Sequence, residues 1–180
     1  MFVIDFDETI FDKNWFVDFF MDIFCNTWRN PKMLQENMNY SKVVNNWMFD
    51  FKRRLGKCWI KEQEFDIVRR NTKHFLYNDF ISFCKNNKEK KLILTYWDKY
   101  FQEKKLIHSW ARNLVDWCIF TSDANKVEDL KKIYKKYKEK IIYIDDRVFA
   151  SPNDFNFDIE ILKINRLGIW KIKDFSYFQL

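Results

Sequence analysis

Phe2-Val3-Ile4-Asp5-Phe6-Asp7-Glu8-Thr9 decides how this chain reads. Three apolar residues run straight into two aspartates one residue apart, the pattern of a buried strand whose carboxyl end opens into a polar loop. Three later segments repeat it: Leu92-Ile93-Leu94 runs into Thr95, Trp117-Cys118-Ile119-Phe120 into Thr121-Ser122-Asp123, and Ile141-Ile142-Tyr143-Ile144 into Asp145-Asp146. A fifth, weaker run spans Ile159 to Ile164. Helical stretches lie between the later strands, Tyr100 to Trp110 and Val127 to Lys138; the second spaces Val127, Leu130, Ile133, Tyr134 and Tyr137 along one face with lysines on the other. Strands alternating with helices predict an α/β fold, a mostly parallel Rossmann-like sheet flanked by helices. Ligands of such sheets collect outside the carboxyl ends of the strands, where this chain concentrates acids and hydroxyls.

Thr95 lies 86 positions after Thr9, far more than a crossover helix needs, and most of that interval reads as helical. We therefore expect a catalytic core of residues 1–12 and 88–180 with a helical cap, 13–87, inserted in it. Within the cap, Asn14 to Trp28 places Asn14, Asp18, Asp22 and Asn26 on an i,i+4 stripe against Phe16, Phe19, Phe20, Ile23 and Phe24. The stripe reads as a solvated edge, or as a face that turns Asp18 or Asp22 toward a ligand. Asn30-Pro31 and Leu55-Gly56-Lys57 break the helical pattern, and Asn78-Asp79 reads as the N-cap of a helix to about Asn86.

Composition excludes several mechanisms. In 180 residues there are only two glycines, Gly56 and Gly168, where average usage of about 7% would supply roughly 13. The dinucleotide fingerprint, the Walker A loop and the nucleophile-elbow serine each need glycines a few positions apart, and none can be written here. Cys25, Cys58, Cys84 and Cys118 stand 33, 26 and 34 positions apart, and His74 and His108 form no HExxH, which argues against zinc. Scattered thiols suit a reduced compartment. The first twelve residues carry acids and no basic stretch, and no apolar run approaches the length of a membrane span, so a soluble cytoplasmic protein is expected. Hydrophobic residues at 47%, with 20 Phe, supply a large core, and the net charge of +6 suits an anionic ligand without reaching a nucleic-acid-binding composition.

The acids carry the chemistry. Asp5 and Asp7, extended at a strand end, would stand about 6 to 7 Å apart on one side, and Asp145-Asp146 adds charge at the same sheet edge. Such a cluster stays ionised beside a cation, and oxygen ligands without Cys or His select a hard ion, with Mg²⁺ the expected one.

Taken in order, these segments resemble the haloacid dehalogenase-like (HAD) superfamily of phosphohydrolases. Val3 to Asp12 looks like its first motif, Asp-x-Asp-x-Thr after an apolar strand; Leu92-Ile93-Leu94-Thr95 is similar to the second, Asn125-Lys126 to the third, and Ile142-Tyr143-Ile144-Asp145-Asp146 to the fourth. The resemblance implies aspartate-based phosphoryl transfer: Asp5 as nucleophile, Asp7 as general acid and then base, Thr95 bonding a phosphoryl oxygen, and Lys126 neutralising its charge. It implies Mg²⁺ on Asp5, the main-chain carbonyl of Asp7, and one or both of Asp145 and Asp146, with Thr9, Thr95, Tyr96 and Lys126 toward a small phosphorylated substrate. An aspartate at position 7 is characteristic of the phosphatase and phosphotransferase branches. Two departures stand out: Glu8 where many members have Gly, and Tyr96-Trp97 where a small residue or Asn-Gly is frequent. Tyr96-Trp97 would bring an aromatic near the phosphate, to stack on a ring or pack under the cap. Thr121-Ser122 is the rival of Thr95, but it would leave the strand ending at Thr95 without a role. A nucleic-acid terminal phosphate, suggested by the lysine-rich Lys131 to Lys140, and a non-catalytic phosphate-sensing or interaction module are the alternative readings.

Overall fold

The computed structural model describes residues 1–16, 18–19, 70–96, 99–166 and 175. Five strands form one parallel sheet: β1 (Phe2–Ile4), β2 (Lys91–Tyr96), β3 (Trp117–Thr121), β4 (Ile141–Asp145) and β5 (Ile159–Lys163), in the spatial order β3-β2-β1-β4-β5. Among the described residues, helices α1 (Asn78–Asn86), α2 (Lys99–His108) and α3 (Val127–Tyr137) flank them. The helical and strand spans expected from hydrophobic periodicity recur with boundaries moved by one or two residues. Residues 13–16 and 18–19 are helical and Asp18 is exposed; Asp22, the remainder of the expected helix to Trp28, and both expected breaks lie outside the described residues.

Alternation along each strand divides the core between the two faces of the sheet. Phe2 and Ile4 of β1, Ile93 of β2 and Ile144 of β4 point to the face covered by α1 and α2, where they meet Phe80, Phe83, Phe101 and Leu106. Val3, Leu92, Leu94, Ile141 and Tyr143 point to the other face, against Leu130 and Ile133 of α3. Strands buried on both faces need apolar side chains at every position, which is why the runs are continuous and not alternating. The ring of Phe83 meets Phe2 edge-on at 4.9 Å, and Phe175 packs against Phe80 and Phe83 at 5.3 and 5.0 Å, anchoring part of the C-terminal segment to α1. Each such buried ring contributes about 1.5–3 kcal/mol.

Asp79 does not cap α1 as expected: the helix begins at Asn78 after Tyr77, which makes no side-chain cap bond. The Asp79 carboxylate accepts instead from Arg166 Nη1 at 2.6 Å and from the Phe175 backbone N–H at 2.7 Å. Cys84 and Cys118 are free, half-buried thiols, pushed up to about 12 and about 11 by burial, which makes them poor nucleophiles. Among the described residues no helix is long and apolar enough to cross a membrane.

Register sets the functional edge. Ile4 pairs with Ile93 on one side and Ile144 on the other, and the Asp5 N–H donates to the Ile144 carbonyl at 2.8 Å. The chain turns away to β2 and β3 on one side of β1 and to β4 and β5 on the other, so the crevice beyond Ile4 is the topological switch point of the sheet.

Candidate active site

β1 ends at Ile4, and the chain enters a tight turn in which the Phe6 carbonyl accepts from the N–H groups of Ile10 and Phe11, both at 3.0 Å. Glu8 occupies this turn with φ 60, left-handed backbone that suits glycine and costs another residue about 1–2 kcal/mol. Its side chain offsets that cost by accepting from the Asn14 backbone N–H and amide, both at 3.0 Å, and so caps the helical turn starting at residue 13. The departure at position 8 therefore stiffens the loop. Thr9 is fully buried behind it: its hydroxyl accepts from the Asp146 N–H at 3.0 Å and reaches Asp5 at 3.5 Å, while Arg166 binds its carbonyl through Nε at 3.0 Å and through Nη2. Thr9 thus braces the site from behind and is not among the residues lining its cavity.

Asp5, Asp145 and Asp146 converge, each offering a carboxylate oxygen within 4.8 Å of the others. Lys126 Nζ donates to Asp5 Oδ1 at 2.5 Å and to Asp145 Oδ2 at 2.7 Å, and the ammonium is almost fully buried. Lys126 reaches this position from the residue before α3, with φ 58. The loop carrying it is stapled by the Thr121 hydroxyl, which donates to Asp129 at 2.6 Å and accepts from the Asp123 N–H at 3.0 Å. Thr121 is thereby occupied in structure. Lys131 and Lys132, in contrast, pair with Glu128 and Asp129 on the surface of their own helix. Asp145 is held by the Arg147 N–H at 2.7 Å and by the Tyr143 hydroxyl, a strand residue whose polar end the apolar pattern of β4 concealed.

Lys126 meets Asp5 and Asp145, and Arg147 Nε stands 3.4 Å from Asp146, so three carboxylates face two cations and negative charge remains in excess. Burial, opposed by Lys126 and reinforced by Asp145 and Asp146, pushes Asp5 up to about 8; burial and Asp145 push Asp146 up to about 6. Lys126 is held above its ordinary value, the two carboxylates outweighing burial. These groups fit a hard divalent ion: every donor is oxygen, and the three carboxylates stand close enough together to share one. Thr95 adds an independent mark of a ligand. It is buried near the end of β2 beside this cluster, and its hydroxyl makes no hydrogen bond among the described residues, a condition that buried polar groups rarely tolerate.

Asp7 joins a different set of partners. The expectation that it shares extended geometry with Asp5 fails because the strand has already ended, and its carboxylate is not part of the three-acid cluster. Lys105 Nζ donates to Asp7 Oδ1, and Gln102 Nε2 donates to Oδ2 at 2.9 Å and to the Tyr96 carbonyl at 3.1 Å. Burial alone would raise the Asp7 carboxyl, but the Lys105 ammonium, with Lys13 behind it, holds it below the usual range. Neither Lys105 nor Gln102 was singled out from sequence. The available signal was their position on the stripe Phe101, Gln102, Lys105, Leu106 that α2 turns inward.

Asp5, Asp7, Thr95, Lys126, Asp145 and Asp146 all open onto one cavity of about 420 Å³. Tyr96 lines it too, while Trp97 lies outside the described residues. Lys13, Arg147 and the exposed ring of Phe149 stand at its wall.

No known sequence-family profile matches the chain, and no curated protein matches it by sequence. Solved structures do match in shape. A haloacid dehalogenase-like hydrolase from Burkholderia xenovorans LB400 superposes with TM-score 0.66 at 12% identity, over 90% of this chain and 80% of that one. A HAD-superfamily hydrolase from Ehrlichia chaffeensis gives 0.57 at 14%, over 99% and 93%. The HAD-hydrolase YfnB from Bacillus subtilis, solved bound to magnesium, gives 0.57 at 14%, over 96% and 89%. The sheet order, the flanking helices and this likeness together show that the chain has the HAD-like fold.

Proposed function

We propose that this chain is a Mg²⁺-dependent phosphatase that hydrolyses a small phosphorylated metabolite through an aspartyl-phosphate on Asp5. The observation that carries the reading is the meeting of Asp5, Asp145, Asp146 and Lys126 beside a buried Thr95 hydroxyl that lacks a partner. A phosphoryl group seated there would accept from Thr95 and lie against the Lys126 ammonium. Asp5, its oxygen held by Lys126, attacks phosphorus in line; the bond to the leaving oxygen breaks, and that oxygen takes a proton from Asp7. Water then attacks the aspartyl-phosphate, gives its proton to Asp7, and releases phosphate with Asp5 restored. Asp7 rests below the usual carboxylate range, but a dianionic phosphoryl group beside it favours its protonated form by like charge. Mg²⁺ would be held by Asp5, Asp145 and Asp146, with the Asp7 carbonyl, and would supply positive charge to offset that of the phosphoryl group.

The cap belongs to this proposal: an insertion within 13–87 would close over the cavity and exclude water. Two of the lysines that suggested nucleic acid, Lys131 and Lys132, pair with acids one turn away on their own helix, which favours a solvated face. The deciding experiment is a screen of phosphorylated metabolites with Mg²⁺, run beside Asp5→Asn. Turnover by the wild type and its loss in the variant are expected. Equal turnover by both overturns the assignment of Asp5, and tight binding of beryllofluoride with Mg²⁺ but no turnover of any ester favours a non-catalytic phosphate sensor.

A further inference from the structure

Resting on the phosphatase reading, the geometry points to Lys105 and Gln102 of α2 as positioning residues for Asp7: they form a seat that gives it a cation of its own and keeps its carboxylate out of the three-acid cluster. Lys105 is 3% exposed, and a buried ammonium persists only where opposite charge and hydrogen bonds compensate its lost hydration. Asp7 provides the charge. The rings of Phe6, Phe11 and Phe101 lie 5.1, 5.2 and 5.0 Å from Nζ and present their faces to it. Phe6 and Phe11 bracket Asp7 in the loop after β1, so the same lysine that holds the carboxylate also holds the loop that carries it. Gln102, three residues earlier on the same helix face, engages the other carboxylate oxygen and ties it to the end of β2 through the Tyr96 carbonyl.

The arrangement divides the charges: Lys126 serves Asp5 and Asp145, and Lys105 serves Asp7. Two carboxylates only two residues apart thereby avoid competing for one cation, and Asp7 is fixed at both oxygens. A carboxylate that must hand a proton to a leaving oxygen works only if it stays within hydrogen-bond reach of it. The seat supplies that fixation.

The test is leaving-group dependence. p-Nitrophenolate leaves without help, whereas an alkoxide needs its proton in the transition state, so only the alkyl ester reports proton delivery by Asp7. Wild type, Lys105→Met, Gln102→Leu and Asp7→Asn are compared on p-nitrophenyl phosphate and on the best alkyl phosphate of the metabolite screen, with Mg²⁺. Both seat variants should lose at least about tenfold more kcat/KM, which reports the steps up to departure of the leaving group and not the later hydrolysis that also uses Asp7, on the alkyl ester than on the aryl ester, in the same direction as Asp7→Asn. Their combination with Asp7→Asn should add little further loss. Equal losses on both esters in a folded variant, or full additivity, overturn the proposal and leave Lys105 a packing residue. Gln102→Leu decides the matter if Lys105→Met does not fold. A wild type that turns over neither ester sinks the phosphatase reading and this inference with it, whereas an active wild type with an unchanged ester ratio in the variants sinks this inference alone.

Discussion

Thr95, next to last in β2, has a buried hydroxyl that makes no hydrogen bond among the described residues, and that oddity yields a sharp test. Replacing a partnerless buried hydroxyl by a methyl of the same shape removes a desolvation cost and no bond, so Thr95→Val should hold or raise the melting temperature. If the hydroxyl serves a phosphoryl oxygen, the same change should lower kcat/KM by about 10- to 100-fold, the worth of one charge-assisted hydrogen bond. A variant both less stable and fully active would show Thr95 to be structural. Glu8 offers a second test. Glu8→Ala loses the bonds to Asn14 and keeps the left-handed backbone, whereas Glu8→Gly loses the bonds and relieves the backbone. Denaturant titration should find the alanine variant about 1 kcal/mol less stable than the glycine variant. Strand-end residues such as Asp5, Thr95 and Asp145 could be read from sequence because an apolar run stopping at a polar group marks the edge of a sheet. Lys105 could not: it is one of two adjacent lysines in a helix, and only packing against Phe6 and Phe11 decides which of them turns inward.

At the scale of elements, β2 to β5 and helices α2 and α3 were legible within a residue or two: the inner strands β2 and β4, largely buried, leave continuous apolar runs, the half-exposed edge strands β3 and β5 keep shorter ones, and α3 keeps a clean 3.6-residue stripe. The geometry just after β1 was not. Extended backbone through Asp7 is the natural reading of a short apolar strand, but bonds from Ile10 and Phe11 back to Phe6 curl the chain at once and separate the two aspartates into different networks. α1 carries a comparable lesson, since Asp79 is spent on Arg166 and Phe175, long-range partners that local capping rules do not see. Within α1, Phe83 is fully buried against Phe2 and Phe175, and Phe83→Ala should cost about 3–5 kcal/mol in chemical denaturation.

For the molecule as a whole, the raised values of Asp5 and Asp146 become a dependence of stability on pH. In the folded state Asp5 holds its proton to about 8 and Asp146 to about 6, while the unfolded chain releases both near the ordinary carboxylate range. Between those limits the folded state binds more protons, so without divalent ions stability should fall as pH rises from about 4.5 to 8. The depressed Asp7 acts oppositely, and its contribution disappears only on acidification through the ordinary carboxylate range and below. A divalent ion takes the place of the protons, so its affinity should climb by up to about tenfold per pH unit while one proton is displaced. Melting curves at pH 5.5, 7 and 8.5 with and without Mg²⁺ check this: the gain on adding the ion should widen with pH, and a gain that is flat or shrinks would deny the acids their ion.

One modest feature reaches further than its size suggests. Where the chain leaves for the long excursion after β1 and where it comes back, it is stitched across the gap: the Asp12 N–H donates to the Phe75 carbonyl at 2.8 Å, the Tyr77 N–H donates to the Ile10 carbonyl at 3.1 Å, and Phe11 bridges Leu76. Departure and return are thus a single doorway with a fixed frame. A change of chain length between those two points need not reach Asp5, because these bonds hold residues 10–12 and 75–77 together whatever lies between them.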